Sequence, residues 1–375
     1  MGLGMGLNLL LLFAMVGTNL LSLYHLSSIS SYSPGGAARQ PAAQIPDRLQ
    51  QQLATIRATI SHLTGLRSSS ATTLRSPSSP ADLLLYASLS PIASACHDHP
   101  ELLHRYMTYT PFRPCPPDPD NLAEVLSLRG CHPLPRRRCF SATAAKEIPL
   151  SSDPFPASLP DAAVIWPSSA SCKSFACLPP HLGFDMAAEA ARFLPPTRSN
   201  LDLTIPQLLA IASNQSSPIR LALDVGGGSG TFAARMKLDA GATVVTTTMN
   251  LGAPYSEAAA LRGLIPLHVP LQQRFPVHDA ALDLVRCGHA VNRWIPSSAL
   301  EFLLFDADRV LRSGGFLWID HFFCRATDLE AEYAPLFRKL GYRILKWSVG
   351  DKTDAGGVKN REVYLTALLQ KPVGK

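Results

Sequence analysis

The chain has 375 residues, 46% hydrophobic and 17% charged, enough to bury one large core or two ordinary ones and too apolar to be disordered throughout. Its formal charge is +6, and it carries neither a basic helix nor an aromatic RNA-binding signature. A nucleic-acid partner is therefore not expected, whereas acidic partners are tolerated.

No charged side chain precedes Tyr24, and residues 7–26 are apolar over about 20 positions, the length of a bilayer-spanning helix. A cleaved signal peptide has a shorter apolar core and a basic start, so residues 1–27 are expected to be a signal-anchor that crosses the membrane once. Because the first basic residue is Arg39, charge asymmetry scarcely sets the orientation. Residues 28–80 form a tether and stalk. Within them Leu49, Leu53, Ile56, Ile60 and Leu63 recur at 4-3-4-3 spacing, an a/d stripe of about two heptads. Two outcomes stand equally: a homodimer paired through residues 49–63, or a helix packed on its own domain.

Residues 81–182 are rich in Cys and Pro. Cys96, Cys115, Cys131, Cys139, Cys172 and Cys177 form an even set in an irregular region, which suits an oxidising compartment and leaves every pairing open. The spacings around Cys131-His132 fit no standard zinc module, so no metal is expected. Asn121 and Glu124 stand at capping-box spacing and predict a helix over 121–128 that Gly130 stops. Arg136, Arg137 and Arg138 read as a solvated loop or as a surface for an acidic substrate. Asn214-Gln215-Ser216 is an acceptor sequon on a predicted loop.

From residue 183 the pattern becomes regular. Helices are predicted over 184–193 and over 204–212, the second capped by Thr204. Ile219, Leu221, Leu223 and Val225 then alternate as a buried strand that ends at glycine. Asp224 closes that strand, Gly226, Gly228 and Gly230 follow at every second position, and a helix begins at Thr231. Glycines here let backbone approach a ligand, since no Cβ intervenes. Further strands are expected over 244–248, 265–269, 282–286 and 316–320. Helices lie between them, over 254–262 and from a Ser297 cap to a stop at Ser313-Gly314-Gly315. A helix capped by Thr327 precedes two closing strands, 342–348 and 362–369, with no helix between. The alternation predicts a parallel α/β sheet covered on both faces and ending in an antiparallel hairpin.

A dinucleotide fingerprint would need glycine at position 231, which is Thr231. The D-x-G-x-G-x-G spacing of 224–230 instead resembles motif I of the class I S-adenosylmethionine-dependent methyltransferases. The wording is closer still: DVGGGSGTFAARM, VTTTMNLGAP, WIPSSALEFLLFDADRVLRSGG, DHFFC and, upstream, RGCHPLPRRRC and SCKSFACL. They look like a plant family of single-pass, methyltransferase-like proteins related to those assigned as Golgi pectin methyltransferases.

The resemblance implies a Rossmann-like seven-stranded class I methyltransferase domain over 183–375, in the Golgi or another endomembrane lumen. It also implies S-adenosylmethionine as cofactor and a cell-wall polysaccharide carboxylate or hydroxyl as acceptor, with an acidic polysaccharide as partner. The methionine end would lie on Gly226, Gly228 and Gly230, with Asp224 orienting backbone and the amino group. Where the family places an acid for the ribose, this chain has Thr246 to Met249 and Asn250, and Gln272 stands where an acid would meet the adenine. Methyl transfer needs a positioned nucleophile and, for a protonated one, a base. His289, Asp320 and His321 at the ends of the fourth and fifth strands are the catalytic candidates. For a carboxylate acceptor, Arg286, Arg293 or His321 would hold the anion. The rival reading is a non-catalytic methyltransferase-like scaffold for polysaccharide-synthesis enzymes. A cytosol-facing small-molecule methyltransferase is a weaker third.

Overall fold

The computed structural model describes residues 96–374, apart from 119–120, 144–150 and 168–169. The expected anchor, the heptad stripe at 49–63 and the rest of 1–95 lie outside the described residues. Among those described, no helix is long and apolar enough to cross a membrane.

Seven strands form one sheet: β1 (Leu221–Val225), β2 (Thr243–Thr248), β3 (Ile265–His268), β4 (Leu282–Cys287), β5 (Leu311–Arg325), β6 (Arg343–Asp351) and β7 (Glu362–Gln370), in the order β3-β2-β1-β4-β5-β7-β6. β1 to β5 are parallel, and β7 runs antiparallel to both β5 and β6. The chain order reverses between β1 and β4. In open α/β sheets a ligand crevice forms at the carboxyl ends of the strands flanking such a reversal.

The described α-helices of five residues or more are α1 (Pro100–Met107), α2 (Leu122–Leu128), α3 (Met186–Ala190), α4 (Ile205–Asn214), α5 (Thr231–Ala240), α6 (Tyr255–Leu261), α7 (Ser297–Val310), α8 (Ala334–Lys339) and α9 (Ala355–Asn360). One face of the sheet buries Leu223, Val285 and Leu317 against Leu300, Leu303 and Leu304 of α7. The other buries Ala222, Leu284 and Trp318 against Leu208 of α4 and Phe232 and Met236 of α5. Each such Leu contributes about 1.5–3 kcal/mol, so the i, i+3, i+4 spacing on α7 anchors that helix without help from a cap. Thr204 does cap α4, in a capping box with Gln207.

Several predicted boundaries moved, each for a local reason. Asn121 lies in the left-handed region and makes no cap bond; the Asp118 carboxylate instead accepts from the amides of Leu122 and Ala123. Only Met186–Ala190 of the helix expected over 184–193 forms, and Phe193 at φ 64° is incompatible with its continuation. The hydroxyl of Ser297 meets Glu332 and that of Thr327 meets Asp328, so neither caps a helix. Strand β5 spans 15 residues instead of 5. It begins as soon as α7 ends and continues past Asp320 because β7 pairs with it as far as Arg325. Between Ile319 and Phe322 the register slips by one residue, a β-bulge that holds His321 at φ 54°.

All six upstream cysteines are paired, as Cys96–Cys131, Cys115–Cys139 and Cys172–Cys177. The first two staple α1 and α2 into a small unit that docks on the β3 side of the sheet. His268 Nε2 lies 3.0 Å from Glu124 Oε2, and Gln272 Nε2 donates to the carbonyls of Ser127 (3.0 Å) and Leu128 (2.9 Å). Cys287 and Cys324 are free and buried, and burial pushes each thiol up to about 12, which leaves both un-ionised and unreactive.

Candidate active site

A cavity of about 310 Å³ opens at the carboxyl ends of β1, β2 and β4, at the small end of the ligand-pocket range. The turn after β1 forms its floor through Gly226, Gly227 and Gly228. The amides of Gly226 and Gly227 are held by the Thr247 hydroxyl (3.0 Å) and carbonyl (3.1 Å), which draws the turn tightly beneath β2. A Cβ on Gly226 would stand 2.5 Å from the Cβ of Ala290, and one on Gly227 would stand 2.1 Å from Asp224 Oδ2. The turn is thus as thin as backbone can be, and a ligand can lie directly on it. Gly230 has another use: it caps α5 at φ 84° and packs against Leu264, away from the cavity wall.

Beneath the turn lies a chain of charges. Asp224 is fully buried, and its Oδ1 accepts from Arg286 Nη1 at 2.5 Å. Arg286 Nε and Nη2 both reach Asp320 Oδ2, at 3.0 and 2.6 Å. Asp320 Oδ1 meets His321 Nδ1 at 2.7 Å. The guanidinium lies 5.0–5.4 Å from the ring centres of Phe193, Phe232 and Trp318, which shield it from water and stack on its faces. Burial raises the pKa of Asp224, and the Arg286 charge offsets only part of that. For Asp320 burial acts in the same sense, but the Arg286 charge and the His321 hydrogen bond outweigh it and hold the carboxyl well below the usual range.

The predicted catalytic residues converge around this chain. His289 lines the cavity, with its ring 5.5 Å from Phe323 and 6.1 Å from Tyr364. His321 lies 5.6 Å from the same Tyr364 ring. Although the His289 ring reaches solvent at the cavity mouth, the protein packed around it and then the charge of His321 push its pKa down. His321 meets Asp320 through Nδ1, and its Nε2 lies 3.6 Å from Asp202 Oδ1, so the ring stands between two carboxylates.

Other expected residues are placed elsewhere. Asn250 is absent from the cavity wall: its Nδ2 donates to Glu257 (2.7 Å) and its Oδ1 accepts the Ser256 amide, fastening the start of α6. Gln272 is likewise absent from the cavity wall, its Nε2 given to the docking of α2. Arg293 holds Glu362 through Nε and Nη2, so it and Arg286 already carry carboxylates. Thr248 and Met249 end β2 at the cavity, and Val269, Pro270 and Leu271 follow β3 there, an apolar wall suited to a flat base. Sequence reasoning passed over Leu128, His181, Glu189 and Arg192, all of which line the cavity. Only Glu189 and Arg192 offered a signal, an opposite-charge pair three residues apart in an Ala-rich stretch.

A glycine turn after the first strand of a 3-2-1-4-5-7-6 sheet, with titratable side chains above β4 and β5, defines a class I methyltransferase domain. Residues 223–319 match the Methyltransferase domain family, whose cofactor is S-adenosylmethionine. The chain belongs to a plant methyltransferase family: it is 54% identical over 390 residues to the protein titled Probable methyltransferase At1g29790 of Arabidopsis thaliana, and the match covers all of both chains. Solved structures are more distant. A SAM-dependent methyltransferase from Methanosarcina mazei shares 16% identity over 43% of this chain and 97% of its own, with a TM-score of 0.33. The P. horikoshii protein TYW2, solved with MeSAdo, shares 16% over 40% of this chain and 56% of its own, with a TM-score of 0.30.

The residues present fit the cofactor at two of its three parts. The bare glycine turn would take the backbone-like methionine end, and the apolar residues after β2 and β3 would take the adenine. At the ribose, Thr248 offers a hydroxyl where the family pattern has a carboxylate.

Proposed function

We propose that the chain is a membrane-anchored, lumenal methyltransferase that transfers the methyl group of S-adenosylmethionine to a hydroxyl of a cell-wall polysaccharide. The observation that carries this reading is the Asp320–His321 pair, which a bulge fixes and which Arg286, itself on the cavity wall, ties to the site. The cofactor supplies an electrophilic methyl on a sulfonium. Asp320 fixes the His321 ring through Nδ1, and His321 is assigned as the base that takes the acceptor's proton. His289 lines the cavity and the Tyr364 ring stands 6.1 Å from it, and such rings suit the faces of a sugar. A hydroxyl is favoured over a carboxylate because Arg286, Arg293 and Lys352 each hold a protein carboxylate already. An acceptor carboxylate would compete with those pairs.

Two observations support a lumenal setting in the Golgi or another endomembrane compartment. Three disulfides suit an oxidising environment. Asn214 of the sequon is exposed at the end of α4. The protein extracted from microsomes should shift in size on glycosidase treatment, and the shift should vanish in Asn214→Gln; a cytosolic domain would show none.

The activity test is transfer of a radiolabelled methyl group to pectic and xylan oligomers by the full chain and by His321→Asn, chosen because Asn tolerates a positive φ. Loss of a base lowers kcat by about 10²–10⁴-fold. Binding of S-adenosylhomocysteine should be unchanged in the variant. Full activity in His321→Asn would remove the hydroxyl mechanism and favour a carboxylate acceptor. The scaffold reading draws on the engaged Asn250, which leaves the ribose without a carboxylate; it is adopted if folded wild-type protein binds neither S-adenosylmethionine nor S-adenosylhomocysteine.

A further inference from the structure

We infer that Glu189 and Arg192 grip the amino-acid end of the cofactor, Arg192 taking its carboxylate and Glu189 its ammonium group. The inference rests on the cofactor reading above and adds the part of the site that the glycine turn does not supply. An amino acid is a zwitterion, so the cavity must offer one charge of each sign beside the turn. Asp224 cannot be the anion. It is fully buried under Gly227, its Oδ1 is taken by Arg286, and it is absent from the cavity wall.

Glu189 and Arg192 both line the cavity, alongside Gly183, Gly226 and Thr231. Surface ion pairs three residues apart are common and contribute only about 0–1 kcal/mol. This pair differs, because the Glu189 side chain is 8% exposed whereas that of Arg192 is 52% exposed. A carboxylate is buried only where something compensates it. Here Glu189 Oε2 accepts from the Thr231 hydroxyl at the first turn of α5, and Arg192 Nη1 lies 3.3 and 3.2 Å from its two oxygens. Behind them the wholly buried Arg262 donates to the Ser229 carbonyl (2.8 Å) and to Thr231 Oγ1 (3.2 Å), which fixes the hydroxyl that fixes Glu189. The carboxylate is thus held rigidly on the cavity wall.

Arg192 is held more loosely, above the Phe193 ring at 5.4 Å. It shares the cavity wall with Gly226 of the turn and with His289. A ligand carboxylate at that point would meet a guanidinium with donors to spare, since only Nη1 is spent on Glu189. An ammonium group would meet Glu189 Oε1, whose one partner is Arg192.

The test is calorimetry on the detergent-solubilised full chain with S-adenosylhomocysteine and with 5′-methylthioadenosine, which keeps the nucleoside and thioether but lacks the amino-acid end. Arg192→Ala should weaken S-adenosylhomocysteine by about 10–100-fold, the scale of a charge-assisted hydrogen bond. It should leave methylthioadenosine binding unchanged, and Arg192→Lys should recover part of the loss. Glu189→Gln, nearly isosteric and able to keep the Thr231 contact, should show the same selectivity. Equal weakening of both ligands, or no weakening of either, overturns the inference. Wild-type protein that binds neither ligand overturns the cofactor reading itself.

Discussion

Arg286→Leu is expected to destabilise the fold by about 3–5 kcal/mol, the cost of stripping the partner from a buried ion pair, and to abolish cofactor binding. The side chain leaves β4 at the centre of the sheet and is the common partner of Asp224 and Asp320. Without it, two carboxylates remain in an aromatic enclosure with no cation between them. Neutralising all three positions together, as Asp224→Asn, Arg286→Met and Asp320→Asn, should restore most of the stability but not the site. Denaturant unfolding of the three proteins measures this, and a loss below about 1 kcal/mol in Arg286→Leu would refute the clamp.

Acidification supplies the sign. The folded-state pKa of Asp320 is depressed, so its contribution is present above the unfolded value near 3.9 and is lost as pH falls through the folded value. Asp224 is raised and acts in the opposite sense, favouring the fold when protonated. Arg286→Leu removes the cause of the Asp320 depression. Its deficit relative to wild type should therefore be largest near neutrality and narrow below about pH 4.

Gly227→Ala should reduce S-adenosylhomocysteine affinity by about 100-fold or more, because the glycine floor of the cavity must rise to admit the methyl. The new Cβ would stand 2.1 Å from Asp224 Oδ2 and 2.6 Å from Thr246 Cγ2. The carboxylate cannot swing aside while Arg286 holds its other oxygen. Gly228→Ala is the contrast. Its Cβ would meet only Tyr255, at 3.8 Å, so the cost there is the backbone strain of φ 58°, of order 1 kcal/mol. Equal affinity losses in the two variants, read by calorimetry in folded protein, would show that close approach at Gly227 is not the governing feature.

The strand and glycine pattern around Asp224 was readable from residue order because it depends on contacts within a few residues. A buried strand alternates, a turn needs glycine, and a helix follows. The two closing strands were readable as β-patterned runs, but the short helix α9 between them, where none was expected, was not; they pair antiparallel around it. The roles of single polar side chains were not readable either. Asn250 and Gln272 carry suitable chemistry, but their amide nitrogens are spent on Glu257 and on the carbonyls of α2. Asp224 stands where its motif puts it, yet its partner is 62 residues away on β4.

What residue order determined by itself was the methyltransferase frame and the position of its glycine corner. What only the tertiary structure decided was which charges are free to act there. Asp320 becomes a positioner of His321 through a one-residue slip in β5 that local propensity does not encode. Arg286 is committed to two carboxylates from different strands. Glu189, in an unremarked Ala-rich stretch, becomes a buried anion on the cavity wall because α3 packs against the start of α5. Hydrogen-bond and charge partners are set by proximity in space, and the sheet brings together residues that the chain holds far apart.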